Sequence, residues 1–175
     1  MKQQKVNINT QGMWDSRFSG DEWRVFPYEV LYDKYLHRKS NVKTLADYGC
    51  GLGEGIEYLS KQPNFKDTKF YGLDFSSEAI NKANPDHDFI MANFNEINEY
   101  PKVDLALVVH TLEHINKPFE FLERIKSVSR EIVLAIPREI VPQGEHFSVF
   151  DLSDFDAQET ILDQTEVVVI LKGEL

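Results

Sequence analysis

Hydrophobic and polar positions along this chain form two repeating patterns. Short, nearly unbroken apolar runs predict buried strands at 44–48, 69–73, 87–92, 103–109, 131–136 and 166–171. Apolar residues at helical spacing predict helices at 27–38, 54–61, 77–84 and from 118 onward, and a further short helix at 153–162. In the helix that starts at 118, the spacing predicts a buried stripe of Phe119, Leu122, Ile125 and Val128.

The alternation of strands and helices predicts an α/β fold. Parallel strands joined by helices form a doubly wound, Rossmann-like, mostly parallel sheet with helices on both faces. The pattern is compatible with six or seven strands. With 175 residues the chain is long enough for one core and too short for a second domain, so we expect a single domain over 1–175.

The first predicted strand runs directly into three glycines at alternate positions, Gly49, Gly51 and Gly53. Residues without a Cβ can take left-handed dihedrals and let the backbone approach a ligand closely. The second strand leads into Asp74, about 20 residues after the last glycine, where a carboxylate can accept hydrogen bonds from ribose hydroxyls. A tight turn with no ligand would explain the glycines alone, but together with Asp74 they indicate a nucleoside-binding crevice.

The glycine spacing separates two classes of cofactor. Dinucleotide-binding turns need a third small residue where Glu54 or Ile56 stands in this chain. A glutamate at the start of the following helix is also unfavourable beside a diphosphate. An NAD-dependent oxidoreductase is therefore the less favoured interpretation.

The segment LADYGCGLG resembles motif I of the class I S-adenosylmethionine-dependent methyltransferases. The segments YGLDFSSEAI, DFIMANFNEI, VDLALVVHTLEHINKP and IVLAIPRE follow in the order typical of that family. The resemblance covers about 45–137 and is closest to the branch typified by ubiquinone and menaquinone methyltransferases. It implies an enzyme that takes S-adenosyl-L-methionine as cofactor, methylates a small molecule such as a sugar, a lipid precursor or a secondary metabolite, and releases S-adenosyl-L-homocysteine.

The resemblance also implies an organisation of the domain. A cap segment and helix would occupy 1–40, the cofactor-binding core 41–137, and an acceptor-side region with the last strand 138–175. The family's sheet has seven strands, of which the last two form an antiparallel hairpin, whereas only one strand is apparent here after Pro137. Either a strand is hidden around 147–150, or the sheet is shortened and a homodimer partner covers its edge.

The same resemblance implies the cofactor contacts. The glycine turn, with Cys50 as a small residue inside it, would contact the methionine part, Asp47 would support the turn or the cofactor amine, and Asp74 would bind the ribose. The remaining implied contacts are Phe75 on the adenine, Asn93 and Phe94 near its amino group, His110 beside the methionyl group, and Trp14 and Arg17 in a segment that closes over the cofactor. Core packing explains Trp14 equally well.

A general base is needed only if the methyl acceptor is a hydroxyl group. Histidine is the side chain whose ordinary pKa suits that task at neutral pH. His146 is the first candidate, because related enzymes carry a histidine and an aromatic residue after the fifth strand, and His114 is the second. A surface or structural role is the alternative for both.

Composition limits the partners. The net charge of −10 repels nucleic acids, and no apolar run is long enough to span a bilayer. Residues 1–10 lack the apolar stretch of a signal peptide, so we expect a cytoplasmic protein with no membrane partner. The histidines and the single cysteine have no metal-ligand spacing, and no metal site is expected. A regulatory or scaffold protein that binds the cofactor without methyl transfer remains the alternative to an enzyme.

Overall fold

The computed structural model describes residues 9–20, 26–94, 96, 99–137, 148–164 and 166–175. The strands among these residues are β1 (Thr44–Tyr48), β2 (Lys69–Asp74), β3 (Asp88–Met91), β4 (Val103–Val109), β5 (Ser129–Pro137), β6 (Glu159–Leu162) and β7 (Glu166–Lys172). The α-helices are α1 (Gln11–Phe18), α2 (Phe26–Lys34), α3 (Glu54–Ser60), α4 (Ser77–Lys82) and α5 (Pro118–Lys126). Short 3₁₀ helices lie at Leu36–Arg38, Pro63–Phe65, Leu112–His114 and Leu152–Asp154.

The strands form one sheet in the order β3-β2-β1-β4-β5-β7-β6. β1 to β5 are parallel, and β7 pairs antiparallel with both β5 and β6. The predicted α/β, doubly wound sheet is confirmed, with seven strands. The order of the strands reverses between β1 and β4, and in such sheets ligands bind at that point, beyond the carboxyl ends of the strands.

The C-terminal region differs from the prediction. The helix expected at 153–162 is wrong, because a single 3₁₀ turn at Leu152–Asp154 is followed by β6. β6 forms the edge of the sheet, and three of its four side chains are exposed, so its sequence lacks the apolar run of a central strand. The missing strand therefore lies at Glu159–Leu162, whereas 148–150 form no strand and 147 is outside the described residues.

Three helix predictions need correction. α1 was not predicted, and the helix expected over 27–38 ends at Lys34 and continues as a 3₁₀ turn. In α5 the stripe is partly wrong, since Phe119 is 46% exposed while Phe121 is fully buried. α5 lies against the sheet through Phe121, Leu122 and Ile125, so Phe121 takes the buried place that was expected for Phe119.

Helices cover both faces of the sheet and bury a core on each. On one face, Phe121 and Ile125 of α5 pack with Tyr48. On the other, Leu31 of α2 and Ile56 of α3 belong to the buried cluster. These two layers hold the carboxyl ends of β1, β2 and β4 in fixed register. Within the described residues, no helix is long and apolar enough to cross a membrane.

Candidate functional site

The turn after β1 can be built only with glycine at its first position. Gly49, Gly51 and Gly53 have φ angles of 85°, 53° and 80°, which are unfavourable for residues with a Cβ. A Cβ on Gly49 would lie 2.0 Å from Oγ1 of Thr111, the residue that precedes the 3₁₀ helix after β4. The glycine turn therefore packs directly against Thr111, just beyond the end of β4.

Asp74, at the end of β2, ties the glycine turn to the neighbouring strand. Its Oδ2 accepts a hydrogen bond from Gly51 N at 2.8 Å, and its Oδ1 accepts one from Ser76 N at 2.8 Å. Gly49 N and Cys50 N donate to the carbonyl oxygen of Leu73. These three main-chain N–H groups are therefore used within the fold. Asp74 still has lone pairs that ribose hydroxyls can meet.

Asp47 is a fully buried carboxylate at the carboxyl end of β1. Its Oδ2 accepts a hydrogen bond of 2.7 Å from the Tyr28 hydroxyl of α2. Its Oδ1 has no hydrogen-bond partner among the described residues. Burial raises the pKa of Asp47 to about 7, against the opposing effect of the Tyr28 hydrogen bond, and the charge of Asp74 adds to the rise. This buried oxygen requires a donor, and a cationic donor would suit it best.

α1 lies across the carboxyl ends of the strands and is fastened to α4. Asp15 Oδ1 accepts hydrogen bonds from the Ser76 hydroxyl at 2.5 Å and from Glu78 N at 3.1 Å. Lys82 Nζ donates to the carbonyl oxygen of Phe18 at 2.9 Å. The ring of Phe18 lies 3.0 Å from the place where a Cβ on Gly51 would stand. α1 therefore covers the glycine turn from the outside.

Trp14 links α1 to the 3₁₀ helix after β4. Its ring meets that of His114 edge-on, with 5.0 Å between centroids, and the Arg17 guanidinium lies 5.4 Å from the Trp14 ring centroid. The structure thus brings together three residues that the sequence singled out, all on the side of the crevice that α1 covers.

Residues 46–132 match the family model described as a methyltransferase domain. The matched part of the chain is therefore a methyltransferase domain of that family. The ubiquinone and menaquinone branch stays a prediction. No curated protein sequence matches the chain.

Several solved structures share the fold. A SAM-dependent methyltransferase from Aquifex aeolicus has a TM-score of 0.67 and 22% identity over 89% of this chain and 96% of that one. The N-terminal domain of EvdMO1 with SAH bound has a TM-score of 0.62 and 13% identity over 97% and 99% of the two chains. The plantazolicin methyltransferase BpumL in complex with SAH has a TM-score of 0.53 and 27% identity over 71% of this chain. The match spans only 50% of the BpumL chain.

The crevice of this domain suits an adenosyl amino acid. The orphaned Oδ1 of Asp47 can accept from an ammonium group, and Asp74 stands at the end of the neighbouring strand, where a ribose would lie. Within the described residues, no group of histidine, cysteine and carboxylate side chains is placed to hold a metal ion.

The other residues that the sequence predicted for the site differ in their burial and surroundings. Phe94 is buried against Phe121, with 5.1 Å between ring centroids, so its side chain belongs to the core. Phe75 and Asn93 are half-buried just after β2 and β3, and their roles stay predictions. Cys50 is buried inside the glycine turn, as expected of a small residue chosen for fit, and burial raises the pKa of its thiol. His146 lies outside the described residues.

His110 follows β4 and forms an ion pair that the sequence did not suggest. Its Nε2 lies 2.7 Å from Oε2 of Glu166, the first residue of β7. The Glu166 side chain is 4% exposed and that of His110 is 34% exposed. The proposed place of His110 beside the methionyl group stays a prediction.

Sequence reasoning missed four residues that shape the site, namely Asp15, Tyr28, Thr111 and Glu166. Each acts through a partner distant in the sequence, as Tyr28 does with Asp47 and Glu166 does with His110. No local pattern marks such pairs. The one available signal was the position of His110 and Thr111 immediately after the apolar run 105–109 of β4, at the ligand-binding edge of the sheet.

Replacing Asp15 with alanine should loosen α1. The substitution removes the hydrogen bonds to Ser76 and Glu78, which are worth about 1 kcal/mol in comparable helix caps. We expect amide hydrogen exchange over 11–18 to rise about fivefold, while exchange in β4 stays unchanged. Asp33→Ala, at an exposed position of α2, is the matched control. Equal exchange in α1 of both variants would contradict this role of Asp15.

Proposed function

We propose that this chain transfers the methyl group of S-adenosyl-L-methionine to a small-molecule acceptor. The observation that carries the proposal is the buried Oδ1 of Asp47, which has no hydrogen-bond partner among the described residues and lies beside the glycine turn. An uncompensated buried carboxylate is costly, and it is retained where a ligand supplies the missing donor. The ammonium group of the cofactor's methionine part is such a donor.

The protein's part in this reaction is binding and positioning. When bound, the cofactor supplies a methyl group on a sulfonium, already activated for in-line displacement. Asp47 would hold the ammonium group, Asp74 the ribose hydroxyls, and the glycine turn would pack on the part between them. α1 would close over the bound cofactor and exclude water through Trp14 and Phe18.

α1 must move before the cofactor enters. In this structure the Phe18 ring lies against Gly51, and α1 is held by Asp15 and Lys82 on α4. The hydrogen bonds that join α1 to α4 through Asp15 and Lys82 are only partly buried, so opening is cheap compared with unfolding of the sheet. We therefore expect α1 to act as the gate of the cofactor crevice.

A small molecule suits the acceptor better than a nucleic acid. The chain has a net charge of −10, which disfavours contact with a phosphate backbone. The sheet has all seven strands, so the expectation of a shortened edge covered by a second copy loses its basis. Sugars, lipid precursors and secondary metabolites remain the proposed acceptor classes.

The pKa of Asp47 gives the proposal a pH signature. In the free protein the carboxyl group is protonated below about pH 7, whereas an ammonium ligand requires the ionised form. Binding must then release a proton, and the affinity for S-adenosyl-L-homocysteine should fall about tenfold between pH 8 and pH 6. Burial also raises the pKa of Asp74, which acts in the same direction.

Isothermal titration calorimetry at several pH values checks this expectation. Titrations in two buffers of different ionisation enthalpy count the released protons, and Asp47→Asn should flatten the pH dependence. S-adenosyl-L-methionine, S-adenosyl-L-homocysteine and NAD should be compared at pH 8. Binding of NAD alone, or an affinity that is greater at pH 6 than at pH 8, would overturn the proposal.

A further inference from the structure

The His110–Glu166 pair lies on the side of the glycine turn away from Asp74. In the sheet β4 stands between β1, which carries the glycine turn, and β5, which pairs with β7. Pro137 at the end of β5 is in register with Glu166, so the start of β7 lies at the same edge of the sheet as the carboxyl ends of the parallel strands. The pair therefore belongs to the ligand-binding edge, on the side opposite the predicted ribose site.

The backbone holds His110 in an unusual conformation. Its φ angle is 48°, in the left-handed region that residues with a Cβ rarely adopt. Its N–H donates to the carbonyl oxygen of Ala135 at 2.9 Å, and the next residue, Thr111, lies against Gly49. Backbone strain of this kind costs about 1–3 kcal/mol and is concentrated at functional sites. In this conformation the imidazole of His110 lies within hydrogen-bond distance of Glu166, which is paired with the end of β5.

The hydrogen bond to Glu166 fixes the tautomer of the neutral ring. An ionised carboxylate only accepts hydrogen bonds, so Nε2 carries the proton and donates to Oε2 of Glu166. Nδ1 is then the basic nitrogen, and no described residue forms a hydrogen bond with it. The Glu166 side chain is almost fully buried, whereas that of His110 is one-third exposed, so solvent or a ligand can reach the ring.

The charges around His110 favour proton uptake. Burial alone would lower the pKa of His110, but the hydrogen bond to Glu166 and the charges of Glu166 and Glu113 outweigh it and raise the pKa above its usual value of 6.5. A raised pKa makes the ring a stronger proton acceptor. Glu113 is a buried residue of the 3₁₀ helix after β4, and its charge reinforces this effect.

We propose that His110 is the general base of a hydroxyl-directed methyl transfer and that Glu166 is its positioning residue. The inference rests on the proposed function. As the acceptor oxygen forms its bond to the methyl carbon, its proton passes to Nδ1 of His110, and the electron pair of the broken S–C bond stays on sulfur. The imidazolium then releases the proton to solvent, and Glu166 stabilises its charge in the meantime.

The other described candidate base is less well placed. The ring of His114 meets that of Trp14 edge-on beneath α1, and the His114 side chain is only 15% exposed. Its Nε2 lies 4.0 Å from Glu113, beyond hydrogen-bond range. His110 has a short hydrogen bond to an orienting carboxylate and a more accessible ring, which is the arrangement that a base requires.

Methyl transfer to probes of different acidity tests the assignment. The wild-type protein, His110→Gln and Glu166→Gln are assayed with S-adenosyl-L-methionine and two acceptor panels, one of catechols, phenols and aliphatic alcohols and one of thiophenols, which are already ionised at pH 8. We expect His110→Gln to lower kcat/KM for hydroxyl acceptors about a hundredfold and to change the values for thiophenols less than threefold. Glu166→Gln should lower the former about tenfold and move the acidic limb of the pH profile to lower pH. His37→Gln, at an exposed position, is the control.

An NMR measurement tests the same assignment without turnover. Long-range proton–nitrogen correlation of the wild-type protein with S-adenosyl-L-homocysteine should show His110 at pH 8 protonated on Nε2 and not on Nδ1. In Glu166→Gln the pKa of His110 should fall. A proton on Nδ1, equal catechol methylation by His110→Gln and wild type, or a wild-type protein that binds S-adenosyl-L-homocysteine but methylates no hydroxyl probe would overturn the assignment. Failure of the wild-type protein to bind S-adenosyl-L-homocysteine would instead overturn the proposed function, and this assignment with it.

Discussion

Asp47→Asn should stabilise the free protein at pH 8 and weaken its affinity for S-adenosyl-L-homocysteine about a hundredfold. The loss of affinity follows from removing a charge-assisted hydrogen bond, which is worth about 1.5–3 kcal/mol. The gain in stability follows from the cost of an ionised carboxylate that is fully buried with one oxygen unpartnered. The two effects together would mark Asp47 as a residue retained for binding at the expense of stability.

The sign of the pH dependence is fixed by the direction of the pKa shift. The pKa of Asp47 is about 7 in the folded protein and about 3.9 in the unfolded chain, so the folded state binds the proton more tightly. The free energy of unfolding therefore falls as the pH rises from about 4 to about 7, by at most about 4 kcal/mol at 1.36 kcal/mol per unit. The free energy of unfolding of the asparagine variant does not fall in this way, because its side chain has no charge to bury.

Thermal unfolding at two pH values measures this effect. At pH 8 we expect the Tm of Asp47→Asn to exceed that of the wild type by about 5 °C, which corresponds to about 1–3 kcal/mol for a chain of this size. At pH 5 the difference should vanish, since Asp47 is already neutral. Asp67→Asn, at an exposed position, should change neither Tm nor affinity. A lower Tm at pH 8 together with unchanged affinity would refute the role given to Asp47.

Gly49→Ala should destabilise the protein by about 2–4 kcal/mol and lower its Tm by about 5–15 °C. The φ angle of 85° costs a residue with a Cβ about 1–2 kcal/mol, and the new methyl group would overlap the Thr111 side chain. Overpacking of this kind adds about 1–3 kcal/mol. Any folded variant should bind S-adenosyl-L-homocysteine poorly, because the turn and the end of β4 must separate.

A second glycine provides the matched control. Gly12→Ala places its methyl group in open space within α1 and should leave stability unchanged or slightly raised. In the double variant Gly49→Ala with Thr111→Ala, the loss of Oγ1 and Cγ2 should recover part of the Tm. Equal Tm values for Gly49→Ala and the wild type would show that the turn tolerates a side chain and that its geometry is not dictated by glycine.

The parts of the fold that the sequence predicted well are those with a strong local pattern. β4 is apolar apart from Asp104 and is flanked by Lys102 and His110, and it lies at Val103–Val109 as predicted. β6 escaped prediction because an edge strand needs no apolar run, and Glu159 and Thr160 are exposed. α1 escaped because only Phe18 in it is buried, so it lacks a continuous apolar stripe.

The same distinction holds for the residues of the candidate site: those in a local sequence pattern were predicted, and those paired over long sequence distances were not. The glycine turn and Asp74 follow from local spacing, and the structure places them in direct contact through the Gly51 N–H. The pairs Tyr28 with Asp47 and His110 with Glu166 each join residues far apart in the sequence, and only the packing of the sheet brings them together. A single sequence carries no signal for such pairs, although their hydrogen bonds shift the pKa values of Asp47 and His110.

The structure of the protein bound to S-adenosyl-L-homocysteine tests the central claim most directly. We predict that the ligand's amino group donates to Oδ1 of Asp47, that its ribose hydroxyls lie against Asp74, and that Phe18 has moved away from Gly51. A ligand bound elsewhere, or a crevice still filled by Phe18 with Asp47 Oδ1 unpartnered, would contradict the account.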